Sequence, residues 1–223
     1  MSLDGNLDLK GVAKIERLAL HAWPGLEVEN QDGWLLRHSA GITRRANSVW
    51  PNEVSDDKDL DEKLARVERF YHARMLPARF QICPAAQPNH LDDVLTEAGY
   101  RAVARTAVQH VMLAEMLAEL NSSSLRVDVM SKPSADWWAC YAQADEVSPE
   151  SVAARKLICG AIQVAAAYAT VIIDGEVVAV GSAAAEAGWV GFFNVATMPE
   201  HRRIGAARAI MAALGKWGQT QGS

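Results

Sequence analysis

Between Asn194 and Ile210 the chain runs through an apolar segment, a proline, a basic turn and a stretch rich in alanine. No other stretch constrains the fold as much. It predicts a buried strand ending near Thr197, a tight turn through Pro199, Arg202 and Arg203, and a helix beginning near Gly205. Ile204, Ala207, Met211 and Leu214 fall three or four apart and mark the expected buried stripe of that helix. A helix N-terminus leaves its first amides unpaired and carries partial positive charge, so it suits a phosphate. Gly205, Ala206 and Ala207 keep bulk away from those amides, and Arg202 and Arg203 add fixed charge. Three or four amide bonds at roughly 1.5–3 kcal/mol each would cover much of the roughly 8 kcal/mol that a micromolar ligand requires. A diphosphate-bearing cofactor is the expected guest.

The strand, Val195, Pro199 and the run from Arg202 to Ala207 resemble the acetyl-CoA signature of the GNAT N-acetyltransferase superfamily. That signature reads Q/R-x-x-G-x-G/A after a strand ending in V-x-x-x-P. Ile204 departs from it, standing where many members carry arginine or glycine. The resemblance implies an α/β fold with a mixed sheet, the acyl-CoA N-acyltransferase fold. It implies acetyl-CoA as co-substrate and direct attack on it by a primary amine of a small molecule or peptide. The implied cofactor contacts are Val195, Ala196, Thr197, Arg202, Arg203, Ile204, Gly205, Ala206 and Ala207, with the Val195 backbone polarising the thioester carbonyl. A non-catalytic acyl-CoA-binding or regulatory module is the alternative.

The rest of the sequence narrows the class. A length of 223 residues predicts one large or two small domains. The net charge of −5 argues against a nucleic-acid partner, which would need a basic face. No apolar run reaches the ~18 residues of a membrane span and no signal peptide opens the chain, so a cytoplasmic location is expected. Cys83, Cys140 and Cys159 are scattered, as free thiols in a reducing compartment are. The six histidines form no metal-binding spacing, so no metal is expected.

Asn121 to Ser124 is a polar linker, so the expected units are 1–120 and 125–223. In the second, the predicted order is a strand over Leu125–Met130, a helix over Ser134–Ala144, a polar loop, a helix through Ile158, then strands Tyr168–Ile173, Val177–Ala183 and Trp189–Thr197, and the last helix. Asp174-Gly175 between two strands is a hairpin signal. This β-α-α-β-β-β-α order resembles the first two-thirds of a GNAT domain. In the first unit, strands are expected over Asp32–Arg37, Arg45–Trp50, Arg79–Cys83 and Arg101–Leu113, and helices over Leu60–Leu76 and Leu91–Ala98. Strand, helix, Gly99-Tyr100 and strand resemble the last third of a GNAT domain, which implies a degenerate tandem unit. Its turn from Pro51 to Asp59 is acidic and glycine-free, so it should repel a diphosphate, and Leu95 stands where the family carries a tyrosine.

Acetyl transfer to an amine needs a proton removed, since at a pKa near 10.4 only about one lysine-like amine in two thousand is neutral at pH 7. It also needs donors at the developing oxyanion and an acid for the thiolate. Glu146 and Glu186 are the candidate bases, each equally readable as a solvated carboxylate. Asp145, Glu146 and Glu150 either attract a cationic amine or form a solvated loop, the reading that surface carboxylates favour. Arg44 and Arg45 either reach a groove or flank a turn, and Trp137 and Trp138 read as packing residues. The family's tyrosine-bearing helix has no counterpart before Ser223, so further sequence beyond it, or a partner chain such as a second copy in a homodimer, is expected to cover the Trp189–Thr197 edge.

Overall fold

The computed structural model describes residues 7–54, 58–120 and 125–223. The expected linker at 121–124 lies outside them. The chain divides into two compact units, Met1–Ala107 with Leu157–Ala161, and Val108–Lys156 with Ile162–Ser223.

The first unit opens with α1 (Leu9–Ala22), capped by Asp8, whose Oδ1 accepts from the Gly11 amide at 2.8 Å. Strands β1 (Glu27–Gln31), β2 (Trp34–His38) and β3 (Val49–Trp50) form an antiparallel sheet in that order. Asp32 and Gly33 join the first pair with φ of 48° and 85°, the two positive values a tight hairpin turn requires. Helices α2 (Leu60–His72) and α3 (Leu91–Glu97) bury Leu64, Val67, Phe70, Tyr71, Leu91 and Leu95 against Trp34, Leu36 and Val49. A polar layer includes Arg37, which is 1% exposed. Its Nη2 donates to Ser48 Oγ and Gln81 Oε1, both at 2.9 Å, and Gln81 Nε2 donates to Glu16 Oε2 at 2.6 Å. Burial pushes the Glu16 carboxyl above its usual range, and Gln81, Arg37 and Arg45 hold part of that rise back. Burial also pulls Arg37 down to about 10.

Three expected strands of this unit are corrected. Only Val49–Trp50 of Arg45–Trp50 pairs, and Arg44 and Arg45 lie in the turn before it. The fully buried Asn47 organises that turn. Its Oδ1 accepts from the Ser39 and Gly41 amides at 2.8 and 3.0 Å, and its Nδ2 donates to the Ile42 and Thr43 carbonyls at 2.6 and 2.8 Å. Arg79–Cys83 is reduced to one parallel bridge between Val49 and Phe80. Residues 101–112 are exposed and unpaired, because β propensity makes no strand without an edge beside it.

The second unit adds α4 (Leu113–Leu120), β4 (Val127–Met130), α5 (Ala135–Ala144), the start of α6 (Pro149–Gly160), whose residues from Leu157 onward belong to the first unit, β5 (Ala165–Ile173), β6 (Glu176–Glu186), β7 (Trp189–Thr197) and α7 (Ala206–Thr220). The four strands form an antiparallel sheet in chain order. Asp174 and Gly175 turn β5 into β6 with φ of 51° and 86°, as their chemistry predicts. Ala167, Ala169, Ala179 and Ala183 face Ala206, Ala209, Ile210 and Leu214 of α7 in one core cluster. The residue in alternate register, Tyr168, meets Trp137 of α5 edge-to-face at 5.6 Å on the other face. Helix α4 packs on α7, where Met116, Leu117 and Leu113 lie against Gly215. The buried stripe of α7 is Ala206, Ala209, Ile210 and Leu214. Ile204 precedes the helix and is 47% exposed.

Candidate functional site

The register between β6 and β7 breaks near the end of β7. Val180 pairs with Ala196 and Ser182 with Phe193, so Asn194 and Val195 together oppose the single residue Gly181. This is a β-bulge, which bends a strand and re-aims its groups. Asn194 has φ of 53°, a left-handed conformation that asparagine tolerates better than most residues. Three side chains bond one another and the main chain at the break. Asn194 Nδ2 donates to Ser182 Oγ at 3.0 Å, Ser182 Oγ donates to the Phe193 carbonyl at 3.1 Å, and Trp137 Nε1 donates to the Gly181 carbonyl at 3.2 Å.

Beyond Thr197 the chain makes a 3-10 turn over Pro199–His201 and enters α7 through two left-handed residues, Arg203 at φ 69° and Gly205 at φ 89°. Gly205 caps α7 without any side-chain bond, and the first rung of the helix ladder runs from the Ala209 amide to the Gly205 carbonyl at 3.0 Å. The amides of Ala206, Ala207 and Arg208 therefore stand ahead of the ladder. A Cβ built on Gly205 would meet nothing within 4 Å, so open space lies over this end of the helix. Arg203 and Ile204 are exposed, Ala207 half-buried, and Ala206 buried in the core. Backbone amides, open room and an exposed guanidinium together fit a phosphate group.

The remaining candidate residues separate by role. Arg202 is engaged with main-chain carbonyls: its Nε donates to Thr197 at 3.2 Å and its Nη2 to Ala144 at 3.4 Å. It ties the turn to the C-terminal end of α5. That tie brings the Asp145–Glu146 corner beside the turn. Glu146 has φ of 51°, and the Val147 amide bonds back to the Ala142 carbonyl at 2.8 Å, the six-to-one bond of a Schellman cap. Glu186 pairs with Trp189 at the far end of β7, six residues from Val195. At ~3.3 Å per residue this places Glu186 about 20 Å along the strand from Val195. Glu150 stands in the first turn of α6, where its own backbone N–H and the Ser148 hydroxyl lower its pKa, so it serves the helix start. Trp137 and Trp138, 0% and 7% exposed, are packing residues and not a substrate platform. Val195 is 38% exposed and Ala196 and Thr197 are half-buried.

Sequence reasoning missed Ser182, Asn194 and the donor role of Trp137. The available signal was an asparagine inside an otherwise apolar strand, where β propensity disfavours it. Among the described residues, no three His, Cys, Asp or Glu side chains gather as metal ligands, and no helix is long and apolar enough to cross a membrane.

Comparison with known proteins agrees with this architecture. The structure shares its fold with a GCN5-related N-acetyltransferase from Kribbella flavida, at a TM-score of 0.69 and 18% identity, covering 94% of this chain and 81% of that one. A functionally unknown conserved protein from Staphylococcus epidermidis matches at a TM-score of 0.53 and 10% identity, covering 96% and 84%. In sequence, the chain is 28% identical over 213 residues to the uncharacterized N-acetyltransferase YobR of Bacillus subtilis, covering 95% of this chain and 85% of that protein. A family model described as "Probable histone acetyltransferase Rv0428c C-terminal" matches residues 11–223. The chain therefore belongs to that acetyltransferase family and has the fold of a GCN5-related N-acetyltransferase.

Proposed function

We propose that this protein transfers the acetyl group of acetyl-CoA to a primary amine. In this reading the amides of Ile204 to Ala207, with the Arg203 guanidinium, hold the diphosphate. Val195, Ala196 and Thr197 line the path of the acyl arm. The observation that carries the reading is the open, side-chain-free start of α7 immediately after a bulged strand. Preorganised backbone donors lose nothing to reorganisation as charge develops on the thioester oxygen, so an amide at the bulge is the means of stabilising it. The amine attacks the carbonyl carbon, the C–S bond breaks, and the thiol leaves with a proton. Glu146 is the carboxylate assigned to accept the amine proton, since the Arg202 tie keeps its corner near the turn. A peptide lysine is the acceptor class to which the family's description points.

Calorimetry with acetyl-CoA tests this. Gly205→Val forces a branched side chain into φ 89° and over the amides, and Arg203→Glu replaces attraction by repulsion. Each should weaken binding at least about tenfold, or 1.4 kcal/mol, the scale of one charge-assisted bond. Unchanged affinity in both variants rejects the cradle.

A further inference from the structure

Three side chains drawn from three different elements bond one another and the main chain at the bulge. Trp137 comes from α5, Ser182 from β6 and Asn194 from β7. Here the Gly181 carbonyl accepts from an indole, and the Phe193 carbonyl accepts from a serine hydroxyl whose own lone pair receives the Asn194 amide. The hydroxyl thus has one donor and one acceptor partner, and its rotor is fixed. Trp137 is fully buried and cannot swing away, and Ser182 is 7% exposed. Gly181 has no side chain because a Cβ there would run into Ile210 and Val195.

From this geometry we propose that Ser182 and Asn194, backed by Trp137, are positioning residues for acetyl transfer. They hold the bulge from the side, so that the Val195 backbone stays out of register with β6 and available to the thioester carbonyl. None of them touches the reacting atoms. The inference rests on the donor-site reading above and adds the residues that set its carbonyl contact. A bulge held by a fixed rotor keeps a donor in place, which matters because oxyanion stabilisation depends on the position of the donor. If the clamp were only structural, its loss would lower stability and leave the bound carbonyl unchanged.

The test uses the intact chain and acetyl-CoA carrying 13C at the carbonyl, with difference infrared spectroscopy reporting polarisation of the bound thioester. Ser182→Ala deletes both bonds of the hydroxyl. Asn194→Gly keeps the left-handed backbone and deletes only the side-chain bond. In the wild type, the bound carbonyl band is expected below its position in free solution. In both variants it should move back toward the free position, while affinity for CoA itself is retained. Trp137→Phe should act in the same direction. A band unmoved in Asn194→Gly with ligand bound overturns the positioning role, even if Ser182→Ala fails to fold. A wild-type protein that does not bind acetyl-CoA, or binds it with an unshifted carbonyl, would instead overturn the donor-site reading itself.

Discussion

Replacing Gly181 by alanine probes how closely α7 is set against the sheet. The new Cβ would come within 3.0 Å of Ile210 Cγ2, a range real Cβ atoms essentially never occupy, and would stand 3.3 Å from Val195 Cγ2 and 3.6 Å from Leu214 Cδ1. Restoring an ordinary carbon separation of ~3.5 Å requires Ile210, or α7 with it, to retreat by more than about half an ångström. Ile210 is fully buried among Ala206, Ala209 and Leu214, so it has no free direction in which to go. Overpacking of this kind costs about 1–3 kcal/mol. Losing a glycine from the unfolded chain returns about 0.4–1 kcal/mol. Overpacking outweighs that return, so the net expectation is a loss of about 1–2 kcal/mol. Ile210→Ala alone should cost about 2–5 kcal/mol through the cavity it leaves. In that background the clash is gone, so Gly181→Ala should become neutral or stabilising by about half a kcal/mol. The measurement is urea unfolding followed by hydrogen exchange at β5–β7 amides, because two units need not unfold in one transition. Equal destabilisation by Gly181→Ala in both backgrounds would show that Ile210 is not the obstacle and refute the reasoning.

Glu146→Gly should raise the melting temperature, gaining about 1 kcal/mol, since a β-carbon at φ 51° on a Schellman cap is strained. The same change should abolish amine-dependent thiol release if Glu146 takes the proton, and full turnover in the stabilised variant would remove it as the base. Glu16→Gln should stabilise the protein increasingly as pH rises. The folded pKa of Glu16 lies above its ordinary 4.5, so its stability contribution is complete below that value and is lost as pH climbs through the raised one. Urea midpoints at pH 4 and pH 7 check this, and a difference between variant and wild type that is constant with pH would contradict it. Calorimetry on the whole chain should give one acetyl-CoA site, at the start of α7, and a stoichiometry of two would require a second cradle in the first unit.

The second unit is far more legible in the sequence than the first. Trp189–Thr197 reads directly as a strand because apolar length and flanking turns agree, and Asp174-Gly175 fixes a hairpin through chemistry that only positive φ accommodates. The turn into α7 is legible for the same reason, with glycine at the left-handed position. In the first unit, sequence reasoning misses the helix α1, although Asp8 caps it and Val12, Ile15 and Ala19 recur at helical spacing. Asn47 explains the shortened β3, and nothing local announces that an asparagine will bind five main-chain groups around a buried turn. At the site, the bulge is hidden because its supports are distant in sequence: Trp137 reaches a carbonyl 44 residues away. The two main-chain bonds of Arg202, to the Thr197 and Ala144 carbonyls, are equally silent in the sequence.

The three strands β5, β6 and β7 are joined only by two-residue turns, Asp174-Gly175 and Ala187-Gly188, whose φ values of 51° and 86°, then 49° and 80°, are all positive. A meander of this kind is assembled from contacts close in sequence, so its loop-closure entropy is small. Its fourth strand is different: β4 pairs with β5 across the whole of α5 and α6, with Val127 opposite Val171. We expect the meander to gain protection first in pulse-labelled hydrogen exchange during refolding, with β4 following, and simultaneous protection of all four strands would contradict that order. The bulged strand proposed to carry the acyl site would then form in the early, locally encoded part of the sheet, before the long connection through α5 and α6 has closed.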